Sequence, residues 1–163
     1  VVYQLFWALL ILLIIAADQA AKYLVSANIE YGSRIRVIEN FFYITFHRNK
    51  GAAWGILQNA RYFLILLTII ITIVLTVYLV KASNRLLKTS LSFIIAGAVS
   101  NNLIDRVIHG GVTDFLQFFI GSYEYPNFNV ADMFIVIGAI LLAYYLIFVY
   151  KEEDVKTKSR EGA

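Results

Sequence analysis

A helix that crosses a membrane needs about 20 consecutive, predominantly apolar residues. This chain has four such stretches, over residues 3–25, 62–80, 86–108 and 131–150. They take up so much of its 163 residues that a single membrane domain covering 1–163 is expected. Composition agrees: 60% of residues are hydrophobic, only 15% are charged and mean hydropathy is +0.71. Lipid can solvate that excess of apolar surface, whereas a globule in water has too little polar surface to cover it. The expected fold is mainly α and integral to the membrane, with four transmembrane helices, a small extracytoplasmic sheet or cradle and a short interfacial helix. Cysteine is absent, which removes disulfides, thiolate metal sites and a Cys nucleophile.

Four spans place both ends of the chain on one side. The short connection between the second and third spans carries Lys81, Arg85 and Lys88, and the tail over 151–163 carries Lys151, Lys156, Lys158 and Arg160. The loop over 109–130 has neither Lys nor Arg. The positive-inside rule therefore puts the termini in the cytoplasm, although Arg34, Arg36, Arg48, Lys50 and Arg61 in the outer segment 26–61 pull the other way. The chain begins at Val1, and a few further cytoplasmic residues are expected ahead of it. The first apolar run is too long for a secretory h-region and lacks a positively charged start. The net charge of +3 is that of basic residues flanking spans, with no dense stripe for nucleic acid.

Within the outer segment, Arg34-Ile35-Arg36-Val37 and residues 42–47 alternate with the period of half-buried strands, and Glu39-Asn40 suits the turn between them. A short interfacial helix is expected at about 52–59. His109-Gly110-Gly111 reads as a helix C-cap and turn.

On this topology Asp18, Asp105, Asp114 and Asp132 gather at the outer face, although their helices run in alternating directions. Ionisable groups at membrane depth are costly and are usually paired or functional. Two carboxylates in one poorly solvated site share a proton. The charged member can then take a proton from water while the other donates to a substrate carbonyl. Other chemistries have less to work with: neither His47 nor His109 has a carboxylate spaced to orient it as a base for Ser100 or Ser122. There is no cluster with zinc-ligand spacing and no phosphate-cradling glycine loop.

Plainer roles stand beside the catalytic one. Asp132 follows Asn129 as a helix-start carboxylate would. Asp114 could be a solvated loop residue, but Thr113, Phe115, Leu116 and Phe118 keep apolar company with it. Asp105-Arg106 reads as a buried structural pair supported by Asn102, and Asp18 with Lys22 as an i, i+4 ion pair. Asn49 to Gly55 is either a tight turn with an interfacial Trp or a place where a peptide is held.

Four patterns together resemble one family, the bacterial lipoprotein signal peptidases, or type II signal peptidases. They are Asp18-Gln19-Ala20-Ala21-Lys22; Asn49-Lys50-Gly51-Ala52-Ala53-Trp54-Gly55; Asn102-Leu103-Ile104-Asp105-Arg106 followed by Val112-Thr113-Asp114-Phe115; and Phe128-Asn129-Val130-Ala131-Asp132. The resemblance implies an intramembrane aspartyl endopeptidase of the bacterial cytoplasmic membrane with Asp114 and Asp132 as its catalytic carboxylates. It implies supporting or substrate-binding roles for Asp18, Lys22, Asn49, Gly51, Asn102, Asp105, Arg106 and Asn129. The implied substrate is a prolipoprotein whose Cys carries a diacylglyceryl group, cut just before that Cys. Globomycin-like cyclic peptides would inhibit, no metal or organic cofactor would be needed, and a monomer is expected. The chain departs from the pattern at Ser100-Asn101, where many members have Gly before the Asn, and at Trp54, where Phe is common.

Two other classes compete. A transporter or proton-relay subunit would also cluster membrane acids, but would spread them across the bilayer. A scaffold binding lipidated chains would keep the fold and tolerate Asp→Asn at both positions.

Overall fold

The computed structural model describes residues 2–52 and 56–150. Helix α1 (Val2–Asn28) leads into strands β1 (Arg34–Ile38) and β2 (Phe42–Asn49). Helices α2 (Arg61–Lys81) and α3 (Arg85–Ala98) follow, and α3 continues through a π-helical stretch, Val99–Asp105, into a short α4 (Arg106–His109). Strands β3 (Val112–Ile120) and β4 (Tyr123–Glu124) precede α5 (Val130–Tyr144), which ends in a second π-helical stretch, Tyr145–Val149. Four helical segments are long and apolar enough to cross a membrane: Gln4–Asn28, Arg61–Lys81, Arg85–His109 and Val130–Val149. The protein is thus a multi-pass membrane protein, as the apolar runs implied.

Helix α2 shows why lipid decides the local structure. Its run of Ile, Val and Thr would favour a strand in water, but in a bilayer every backbone N–H and C=O must be satisfied within the segment. Large apolar side chains stay uncovered along it, such as Phe63, Leu66 and Ile73, and along α1 and α5, such as Leu13 and Ile140. Helices α3 and α5 press closest together. A Cβ on Gly97 would come within 2.5 Å of the Ala131 carbonyl oxygen, and one on Gly138 within 2.8 Å of that of Ser90. Small residues at these crossings let the backbones approach, as membrane helix packing requires. Lys88, expected beside the short basic loop, is instead buried in α3 with Nζ 3.5 Å from Gln4 Oε1.

The sheet is antiparallel in the order β1-β2-β3-β4. The β1–β2 hairpin is where alternation placed it, and Asn40 takes the left-handed turn position, φ 57°. Residues 109–130 are not a plain loop, however: β3 lies against β2, with Asn49 opposite Val112 and His47 opposite Asp114. The expectation failed because both faces of β3 are covered, which erases the two-residue alternation that marks a half-buried strand. Its inner part packs Phe115 with Phe46, Val25 and Ile29 over the end of α1. The expected interfacial helix is corrected as well. Ala53, Trp54 and Gly55 lie outside the described residues, and the stretch from Ile56 to Asn59 is turn, with Leu57 and Asn59 at φ 54° and 64°.

Candidate active site

The C-terminal end of α1, the π-helical stretch, the start of β3 and the N-terminus of α5 meet at one end of the helices. The start of α5 fixes the geometry. Asn129 is its N-cap: Oδ1 accepts from the Asp132 N–H at 3.0 Å, while Asp132 Oδ2 accepts from the Asn129 N–H at 3.1 Å. This capping box satisfies two otherwise orphaned donors. With its carbonyl so engaged, the Asn129 amide nitrogen faces β3, donating to Asp114 Oδ1 at 2.7 Å and to the Thr113 carbonyl at 3.2 Å. One fully buried asparagine therefore touches both acids that the sequence singles out. The helix-start reading of Asp132 is correct, but it occupies only one of that residue's oxygens. Asp132 Oδ1 accepts from Asn101 Nδ2 at 2.8 Å.

Asp114 sits on β3 at 4% exposure, which rules out the solvated-loop reading. Burial pushes its carboxyl up to about 7, and the neighbouring Asp132 charge adds to the rise. The hydrogen bond from Asn129, the charge of Lys22 and the nearby Asn49 amide act in the opposite direction. The directed hydrogen bonds of Asn49 go elsewhere: Oδ1 accepts from the Gly51 N–H at 2.9 Å, and Nδ2 donates to the Ala52 carbonyl at 3.4 Å.

Behind the pair lies a buried ionic cluster. Lys22 Nζ is 2.6 Å from Asp18 Oδ2 and 3.0 Å from Asp105 Oδ2. The i, i+4 pair expected from sequence is present, but it also ties elements together. Asp18 accepts from Ser100 Oγ at 2.6 Å and from the Ala131 N–H at 2.9 Å, capping a second donor of α5. Asp105 accepts from Gln19 Nε2 at 2.7 Å and from the Thr113 N–H at 2.9 Å, which anchors β3. Asp105 and Arg106 are both buried, yet they form no ion pair with each other among the described residues. Asp105 turns to Lys22, while Arg106 Nε donates to Asn102 Oδ1 at 2.7 Å and Nη2 to the Gly51 carbonyl at 2.5 Å. Its Nη1 is buried with no hydrogen-bond partner among the described residues, and its charge acts on Asp114, Asp105 and Asp132. Gly51 is glycine because a Cβ there would meet the Ile56 carbonyl oxygen at 2.6 Å. Gly110 caps α4 in the left-handed conformation, as expected.

Sequence reasoning gave no role to Gln19, Ser100, Asn101 or Thr113. The π-helical stretch explains two of them: its wider turn brings Ser100 round toward Asp105, five residues on, so Gln19 Nε2 reaches both Ser100 Oγ, at 2.9 Å, and Asp105. A regular helical wheel hides this grouping. Gln19 sits inside the Asp18-to-Lys22 pattern, the signal that could have found it. Among the described residues no group of three His, Cys, Asp or Glu is disposed to hold a metal ion.

Four spans capped by a small sheet, with paired acids buried at one end, define a membrane-embedded enzyme, and the protein is similar to solved examples of that class. One is a bacterial membrane enzyme determined by the in meso method at 2.3 Å resolution, 38% identical, with 87% of each chain covered and a TM-score of 0.81. A second, at 1.9 Å resolution, is 38% identical over 88% of this chain and 93% of its own, with a TM-score of 0.79. The model of the signal peptidase II family matches residues 10–148, and the chain belongs to that family. It is an aspartic endopeptidase, and membership supports cleavage of lipoprotein signal peptides.

Proposed function

We propose that this protein removes the signal peptide from diacylglyceryl-modified prolipoproteins, cutting before the lipidated Cys with a water activated by Asp114 and Asp132. The observation that carries the reading is Asn129, which holds one carboxylate from β3 and one from α5 in a buried setting. One carboxylate takes a proton from water as the water oxygen attacks the scissile carbonyl carbon, and the other donates its proton to the carbonyl oxygen. When the tetrahedral intermediate collapses, the first acid returns its proton to the leaving Cys nitrogen and the second recovers one from the intermediate's hydroxyl. No covalent enzyme intermediate forms.

Asp18, Lys22 and Asp105 hold the start of α5 and β3 in place in this scheme, and Asn102 orients Arg106. Arg106 Nη1, buried without a hydrogen-bond partner among the described residues, would donate to a substrate carbonyl once substrate entry uncovers it, with Asn49 and Gly51 as further substrate contacts. A lipidated substrate would enter from the bilayer, with the sheet and the segment from Asn49 forming a cradle over the scissile bond. The site would lie near the outer face of the cytoplasmic membrane and the termini in the cytoplasm, in keeping with Lys81 and Arg85 in the connection between α2 and α3. The protein would act as a monomer, and globomycin-like cyclic peptides would occupy the same groove.

The test is cleavage of a diacylglyceryl-modified precursor by purified protein in detergent, beside Asp114→Asn and Asp132→Asn. Cleavage before the lipidated Cys by the wild type alone is expected, with block by a globomycin-like peptide. Turnover by either folded variant would sink the dyad, and lipopeptide binding without cleavage by the wild type would favour a scaffold.

A further inference from the structure

Asn101 is buried, at 3% exposure, between a cation and an acid. Lys22 Nζ donates to its Oδ1 at 2.6 Å, and its Nδ2 donates to Asp132 Oδ1 at 2.8 Å. Which way an asparagine amide points must be argued from its partners. Here the partners decide it. An ammonium group has only donors, so the atom facing Lys22 is the carbonyl oxygen, and the amide nitrogen is left facing Asp132. Lys22 is itself fixed, because Asp18 and Asp105 are its two other partners.

Asp132 thus receives a fixed donor on each oxygen: the Asn129 N–H on Oδ2 and the Asn101 amide on Oδ1. Hydrogen bonds donated to a carboxylate favour its ionised form. Asp114 accepts from Asn129 Nδ2 at 2.7 Å and also feels the nearby Asn49 amide, so what distinguishes Asp132 is that its Asn101 donor is itself held by the Lys22 ammonium. Resting on the dyad proposed above, we infer that Asn101 is a positioning residue that couples Lys22 to Asp132, making Asp132 the base and leaving the shared proton on Asp114. In the hydrolytic step the water proton then goes to Asp132 and the Asp114 proton to the carbonyl oxygen.

The charged groups facing Asp132 are Asp18 and Lys22 from α1, Arg106 from the third span, and Asp114 from β3. Asn101→Leu and Asn101→Ala leave all four in place. Both remove the amide donor, the first with the same branching but a bulkier side chain and the second with a small side chain and the best helix former.

The experiment is the pH dependence of kcat/KM and KM for purified full-length protein, wild type and both variants, on a diacylglyceryl-modified precursor peptide. Loss of one donor to a charged group is expected to lower kcat by about tenfold to a hundredfold and leave KM unchanged. The acidic limb, which belongs to the coupled pair, is expected to move up by about one pH unit. A partly unfolded preparation lowers the rate without moving the limb, so limb position separates positioning from a merely structural role. An unmoved limb, or abolished turnover in both folded variants, would overturn the role of Asn101. If Asp114→Asn and Asp132→Asn are inactive while the limb stays in place, only this inference fails. If either is active, the dyad fails and this inference with it.

Discussion

Replacing Asp114 with Asn should make the protein more stable relative to wild type as pH rises, because the wild-type residue carries a cost that Asn does not. Burial, reinforced by Asp132, lifts the Asp114 carboxyl from 3.8 to about 7. The folded state therefore holds this proton more tightly than the unfolded state. The sign follows: the contribution to stability is fully present below about pH 4 and is lost as pH climbs through about 7. At 1.36 kcal/mol per pH unit, a group shifted this far loses roughly 2–3 kcal/mol of stabilisation between about pH 5 and pH 8. Asn is neutral throughout and keeps an oxygen for the Asn129 amide, and the titration of Asp132 remains in both proteins. Thermal unfolding in one detergent, scanned over that range, gives two curves. The wild type should fall away from Asp114→Asn toward alkaline pH. Curves a constant distance apart would refute the reasoning, since a packing difference has no such pH dependence.

Asp132→Ala should lose about 1 kcal/mol more stability than Asp132→Asn, because Asn can keep the capping contact and Ala cannot, while both abolish cleavage; chemical unfolding and the precursor assay separate the two effects. Gly97→Ala should destabilise by about 1–3 kcal/mol and also lower activity, since its Cβ would push on Ala131, one residue from Asp132; thermal unfolding and turnover check both. Lys22→Met should cost about 3–5 kcal/mol by leaving Asp18 and Asp105 buried without their cation. Adding Asp18→Asn should recover part of that loss, and a double-mutant cycle on unfolding free energy would expose additivity if the two residues were uncoupled.

The spans could be read because a bilayer imposes one length and one secondary structure, and the gathering of acids at one end follows from counting crossings. The β1–β2 hairpin was legible from alternation and Asn40. What escaped reading depends on neighbours remote in sequence. Strand β3 looks like loop until β2 is laid beside it, because residues such as Thr113, Phe115 and Gln117 are covered from outside their own segment. Asp105 and Arg106 look like partners because they are adjacent, yet each has a stronger suitor: Lys22 from α1 for one, Gly51 from the turn after β2 for the other. The roles of Gln19 and Ser100 depend on a local widening of the helix that no regular period announces.

The contact from Asp18 to the Ala131 N–H joins residues 113 positions apart and has a consequence for biosynthesis. Chains are inserted from their N-terminus, so α1 enters the bilayer before α5 has been made. Its Asp18–Lys22 pair, one helical turn apart, lets that first helix neutralise itself while it waits. Asp132 and Asn129 arrive last, on the segment that completes the constellation. On the proposed dyad the nascent protein would be inert until its final crossing, and a chain ending before α5 should insert yet fail to cut a lipopeptide, which protease protection and the precursor assay would reveal.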